Sequence, residues 1–341
     1  MVRVVIKRLI SAGITIFGAS IISFILLRIL PGDPARLIAG PLASANAVEG
    51  VYRKLGLDQP IHIQYWRYIS AFFQGDWGYS FSNGMSVREI ISNRLPATIE
   101  LALFAFILAI TAAIFLGLLA TYSRNPILDR IVRSLSALGL GIPSFWFALL
   151  SLILFFELIP IFPGPEGRLD PRSMPPIHLT GLYTVDALVS GRGDLFGDVI
   201  THIILPAVAL ALPPFAYLVR LLRANLLEVS NESFILVVRS KGISRWTTFL
   251  KHGLPNAFLP TLTASGLILA ELLTGSVLIE KIFTWPGVGS LIVDSILRQD
   301  YAVVQTFVFL SCTAYVTVNL VIDILYGVID PRTRIMRASD G

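Results

Sequence analysis

Residues 231–260 read NESFILVVRSKGISRWTTFLKHGLPNAFLP. The stretch is a charged interruption between two apolar runs, and it carries the punctuation of two short helices. Asn231 and Ser233 can each accept a hydrogen bond from a backbone N–H one turn on, so either suits a helix start. Glu232 suits the positive end of the helix dipole. The first helix is expected to run to about Lys241, where Gly242 is free to take the left-handed conformation that ends helices. Ser244 can start a second helix, with Ile243, Trp246, Phe249 and Leu250 on one stripe and Arg245, Lys251 and His252 on its flanks. Pro255 is expected to end that unit. The pattern predicts a basic, aromatic helix–glycine–helix knuckle that presses against another protein.

Outside the knuckle nearly everything is lipid-soluble. Hydrophobic residues make up 55% of the 341, charged residues 14%, and the mean hydropathy is +0.74. A soluble chain averages roughly a quarter charged residues, so the composition points to an integral membrane protein. A spanning helix needs about 20 apolar residues. Six runs qualify: about Leu9–Leu30, Ile99–Tyr122, Ser134–Leu158 (interrupted by Pro143), Ile203–Leu222 (containing Pro206, Pro213 and Pro214), Ala257–Ile279 and Val303–Ile329. The expected fold is all-α with six transmembrane helices. The first run exceeds the roughly 7–15 apolar residues of a signal peptide and has no small-residue cleavage site after it, so it reads as an uncleaved span. Residues 31–95 mix polar stretches with segments such as IHIQYWRYISAFF, which read as short amphipathic helices at a surface.

Orientation follows from lysine and arginine in the short loops. One side collects Arg3, Lys7, Arg8, Arg124, Arg130, Arg133, Arg220, Arg223, Arg239, Lys241, Arg245, Lys251, Arg332, Arg334 and Arg337; the other has Arg168, Arg172, Arg192, Lys281 and Arg298. The first side is expected to be cytoplasmic, together with both termini and the knuckle. The isoelectric point near 9.4 and net charge of +5 therefore reflect topology and not a phosphate-tracking patch, which argues against nucleic acid as a partner. The single cysteine, Cys312, excludes an internal disulfide framework.

Charges inside apolar runs ask for a partner or an aqueous face. Arg28 and Glu157 lie close enough to span ends to snorkel, and Asp323 reads as structural. Glu271 is about two-thirds along the fifth run, where lining a polar path and pairing with another helix are both open. Catalytic signatures are missing: there is no G-x-x-x-x-G-K-[ST] phosphate loop, no H-E-x-x-H and no G-x-S-x-G, and the four histidines are scattered. The G-x-G in WPGVGS reads as a turn. The chain is not expected to be an enzyme or to hold a metal or cofactor.

Counting from Gly242 aligns the knuckle with the spacing E-A-A-x3-G-x9-I-x-L-P. Gly242, Leu254 and Pro255 match; Leu236, Val237 and Val238 stand at E-A-A and His252 at the isoleucine. Longer phrases surround it in order: LPGDPA (30–35), LGLDQP (55–60), GDWGYSF (75–81), LPATIELA (95–102), IPSFW (142–146), HIILPAVALAL (202–212), FILVVRSKG (234–242), GSVLIEKIFTWPGVG (275–289) and IDPR (329–332). In these phrases the chain resembles the membrane-spanning permease subunits of bacterial ABC importers, in particular the B-type member of the dipeptide/oligopeptide/nickel branch. The resemblance covers almost the whole chain.

It implies a type I ABC importer permease fold in the bacterial inner membrane, with a long periplasmic loop after the first helix. Residues 1–95 would form that helix and loop, 96–332 a five-helix permease domain with a coupling loop at 223–256, and 333–341 a cytoplasmic tail. The implied partners are a second, C-type permease, two cytoplasmic ATP-binding subunits that hold the ATP, a periplasmic or lipid-anchored substrate-binding protein, and membrane lipid. Arg239, Lys241, Gly242, Arg245, Trp246, Phe249, Leu254 and Pro255 would couple to the ATPase, and Glu271 would border the translocation path. Short peptides are the first solute expectation, with nickel, opines or glutathione as alternatives. A secondary transporter would also account for the spans and Glu271, but such folds pair interrupted helices in two halves, and the proline-rich fourth run has only a loose counterpart in the third.

Overall fold

Helix α1 (Val2–Ile29) opens the chain. Short helices α2 (Pro34–Ala39), α3 (Ala45–Lys54) and α4 (Ile61–Phe73) follow, then an antiparallel pair, Tyr79–Ser80 with Met85–Ser86. Next come α5 (Val87–Ser123), α6 (Pro126–Gly141), α7 (Ser144–Leu152, continued by a π-helical turn over Ile153–Leu158), α8 (Tyr183–Val189) and α9 (Gly193–Ser230). The chain closes with α10 (Ser233–Ser240), α11 (Arg245–Thr248), α12 (Leu254–Leu273), α13 (Val277–Ile282), α14 (Val288–Leu297) and α15 (Tyr301–Ile329). The computed structural model describes residues 2–29, 34–40, 43–54, 56–123 and 125–329. Arg124, most of LPGDPA and the segment from 330 onward with Arg332, Arg334 and Arg337 lie outside the described residues, as do the side chains of Arg3, Arg28 and Asp323.

Among the described residues five helices are long and apolar enough to cross a membrane, and a bent pair makes six when counted as one. Their packing follows from small residues. Ala105, Ala109, Ala113 and Gly117 recur every four positions on one buried stripe of α5, the small-x-x-x-small spacing that lets membrane helices approach closely. A Cβ at Gly117 would stand 3.4 Å from Leu222 on α9. Helix α9 is the hub, packed by α5, α6, α7 and α12, while α1 and α15 pair at the flank. Of the α4 aromatics Phe72 is buried, meeting Phe309 edge-on at 4.7 Å and stacking on Trp77 at 5.2 Å, while Trp66 and Phe73 are exposed.

Four expected span limits are corrected. The second run begins not at Ile99 but at Val87. The third run is no single helix but α6 and α7 bent by 103°. Pro143 disfavours the helical region at the residue before it, and Ile142 is extended (φ −93, ψ 122). The fourth run is a 38-residue helix with Pro206, Pro213 and Pro214 inside it. At 1.5 Å per residue α9 is about 57 Å long, nearly twice the hydrocarbon thickness of about 30 Å. The fifth run starts earlier and stops sooner. Pro255 does not end the knuckle: it stands in the first turn of α12, where its missing N–H is harmless. A π-helical segment, Phe249–Gly253, joins α11 to α12, so the candidate span runs Arg245–Leu273. It stops at Gly275, whose φ is +98.

Candidate functional site

At one end of the bundle the knuckle forms much as its local signals require. Helix α10 stops at Ser240 and Gly242 takes φ +77, with nothing within 4 Å of the position a Cβ would occupy. The turn therefore needs glycine for its backbone and not for space. Ser244 caps α11 by accepting a hydrogen bond from the Thr247 N–H. At the start of α10 neither Asn231 nor Ser233 takes the cap; Glu232 holds that position without a side-chain bond.

The knuckle is fastened to the spans by three of the residues singled out in it. Arg245 donates from Nη2 to the Tyr122 carbonyl at the end of α5 (2.7 Å), and its guanidinium lies over the Tyr122 ring. Trp246 meets the same ring edge-on, centroids 4.7 Å apart. Phe249 is turned inward and buried with Leu222, Leu226 and Ala257, and Leu254 packs against that cluster. What faces outward is Lys241, Lys251 and Pro255 together with an apolar face of Phe234, Leu236, Val237, Ile243 and Trp246. Arg239 is half-buried, with its Nε unpartnered. Leu236 and Val237 escaped the sequence reading as surface residues because α10 is apolar on several faces and offers no stripe to choose by.

The opposite end holds a buried polar clasp that sequence reasoning missed. Two quoted phrases meet in it, LPATIELA at the start of α5 and the 275–289 run. Trp285 donates from Nε1 to the Ala97 carbonyl (2.8 Å). Thr98 accepts from the Val288 N–H (2.9 Å) and donates to the Glu280 carboxylate (2.8 Å), which also takes the Ser290 N–H (2.7 Å). Gly287 and Gly289 lie so close to Glu280 that a Cβ at either would collide with its carboxylate. Burial pushes the Glu280 carboxyl above its ordinary value, against the pull of its hydrogen bonds with Thr98, Ser290 and Gly289.

One turn along α5, Glu100 completes the clasp. Arg168 reaches its Oε2 with Nη2 (2.5 Å) and Nε (3.1 Å), donates to the Gly181 carbonyl (2.9 Å), and lies 3.6 Å over the Tyr183 ring. Thr184 donates to Glu100 Oε1 from both its N–H and its hydroxyl, each at 2.7 Å. The pair is dry, with side chains 5% and 1% exposed. The available signal was Glu100 itself, a carboxylate at the start of an apolar run that had to find a partner.

Between the two ends a cleft of about 550 Å³ opens among α6, α7, α9 and α12. Its wall is mostly apolar, including Leu210, Pro213, Leu267 and Ile268, with hydroxyls from Ser144, Tyr217 and Ser276. Glu271 supplies its only charged side chain among the described residues, and that side is exposed. Glu271 and the knuckle residues therefore stand in separate places, joined by α12.

Residues 113–335 match the family described as binding-protein-dependent transport system inner membrane component, and residues 1–102 match the corresponding N-terminal family. The chain belongs to this family of inner membrane permeases. The permease is 43% identical over 319 residues to the probable D,D-dipeptide transport system permease protein DdpB of Escherichia coli (strain K12), covering 94% of each chain. It is 36% identical over 334 residues to the dipeptide transport system permease protein DppB of Alkalihalophilus pseudofirmus, covering 98% of this chain and 100% of that one. The glutathione transport system permease protein GsiC of Escherichia coli (strain K12) is likewise 36% identical over 334 residues, covering 98% and 99%. The permease is thus a multi-span subunit of an ABC importer, as the phrases along the sequence implied.

Proposed function

We propose that this permease moves short peptides inward across the inner membrane, driven by ATP hydrolysis in two separate cytoplasmic subunits. The similarity to peptide permeases over nearly full length carries that reading. A C-type permease would complete the pathway, and a periplasmic or lipid-anchored binding protein would deliver solute. The Gly242 end would be cytoplasmic with both termini, and residues 1–95, 96–332 and 333–341 would divide the chain. Glutathione, the cargo named for one relative, is the second solute to test.

The knuckle would couple the ATPase to the pathway. An exposed apolar face flanked by Lys241 and Lys251 is the chemistry of a docking surface, and aromatic anchors such as Trp246 are typical of interface centres. Arg245 and Phe249 would act from behind it. They clamp the knuckle to α5, α9 and α12, so a pull on Trp246 reaches three spans as a rigid displacement. Closure of an ATPase dimer would then draw two such knuckles together and switch the pathway between inward- and outward-facing states.

The test is reconstitution of the importer in liposomes with dialanine as solute. Uptake should require ATP. Gly242→Val should insert normally yet lose most uptake while ATP hydrolysis continues, because a left-handed β-branched residue costs about 1–2 kcal/mol and re-aims the turn. Full uptake by that variant would sink the coupling role.

A further inference from the structure

We propose that the Glu271 cleft is a cation-selective solute site, built to hold the ammonium group of a solute such as the free amino terminus of a peptide. It rests on the reading that this face borders the solute path, and it adds a charge filter inside the permease itself.

Three observations converge. The cleft, at about 550 Å³, falls within the roughly 300–1,000 Å³ of small-molecule sites. Its lining is the kind such sites use, an apolar wall with a few polar groups to fix orientation. Ser144, Tyr217 and Ser276 can serve that role around a single carboxylate. Glu271 is exposed in the last turn of α12, and among the described residues no lysine, arginine or histidine lines the cleft. Glu100 is paired with Arg168 in the clasp, whereas Glu271 has no ion-pair partner among the described residues.

An unpaired charge in a cleft with low-dielectric walls focuses field and concentrates the opposite charge. The hydroxyls can accept the remaining ammonium protons, and the apolar wall suits the side chain that follows. An anionic solute would meet repulsion in the same place. The competing role for Glu271 is an ion pair with a basic side chain of the second permease, and it makes the opposite prediction in the assembled pair.

The experiment reads the charge of the cleft without relying on transport. In the assembled importer, with Cys312→Ala removing the native thiol, Leu267→Cys places a sulfur one helical turn from Glu271. Labelling rates are compared for a trimethylammonium-ethyl and a sulfonato-ethyl methanethiosulfonate. The cationic reagent should react about tenfold faster than the anionic one, beyond their ratio on free cysteine, the scale of one unpaired charge roughly 6 Å away. Glu271→Gln should bring the ratio close to that on free cysteine, and Glu271→Asp should keep most of it. A ratio that Glu271→Gln leaves unchanged, or no preference in the parent, overturns the site. If the preference holds but dialanine is not taken up, the cation site stands and the peptide reading falls.

Discussion

Replacing Arg168 with methionine removes one member of a pair that is almost fully buried, and the structure sets the size of the effect. Stranding one partner of a buried ion pair typically costs about 3–5 kcal/mol. Glu100 would lose both bonds to the guanidinium but keep the two 2.7 Å bonds from Thr184, which puts the expectation near 3 kcal/mol, the lower end of that range. Adding Glu100→Gln removes the uncompensated charge while leaving an oxygen for Thr184 to donate to. The double variant should therefore recover about half of the loss, roughly 1.5 kcal/mol. The Lys281–Asp294 pair is the control: it is 2.6 Å long, but its side chains are 39% and 45% exposed. Lys281→Met should cost under about 1 kcal/mol. The assay is unfolding of the purified permease in mixed micelles of increasing dodecyl sulfate, followed by tryptophan fluorescence; Trp285 reports from within the clasp. The argument is refuted if Arg168→Met costs no more than Lys281→Met, or if the double variant is as unstable as the sum of its singles.

Two further outcomes can be checked with the same assay. Because the native Glu280 holds its proton to higher pH than an unfolded glutamate, stability from this group is greatest in acid and declines as pH rises from about 4.5 through the raised native value. Glu280→Gln should lack that slope, and identical pH profiles for variant and parent would contradict it. Trp285→Phe keeps an aromatic ring but loses the bond to the Ala97 carbonyl and leaves a void in a buried site, so it should cost about 2–4 kcal/mol; a stability equal to the parent would mean neither the bond nor the packing holds the clasp together.

Features carried by neighbouring residues were legible in the sequence. The Gly242 turn and the Ser244 cap depend on contacts within a few positions, and each formed where its chemistry required; the apolar runs became helices, but with other limits. Pro255 misled because proline both ends helices and begins them, and only the π-helical segment before it decides which. Phe249 was read as surface because helical periodicity finds a stripe but not the side it faces; Leu222 and Leu226, more than twenty residues away, claim it. The clasp was the least legible. Its bonds join Thr98 to Glu280 and Glu100 to Arg168, separations over which no local propensity acts, although the two phrases that meet there stood out for their resemblance. Glu271 fell between these cases: its helix was readable, but it stands in the last turn and not two-thirds along, and its cleft was not legible.

Helix α9 has a mechanical consequence. Leu195 and Val199 near its start are held in one buried cluster, and Leu222 and Leu226 toward its end in another. It is a beam clamped at both ends. Pro213 and Pro214 have no N–H to return to the carbonyls of Ala209 and Leu210, so the beam's compliant section lies midway. Leu210, Pro213, Pro214 and Tyr217 of that section form a wall of the Glu271 cleft. A load applied at the Gly242 end therefore flexes α9 where it borders the cleft, and the two hydrogen bonds missing at Pro213 and Pro214 set how far the wall moves.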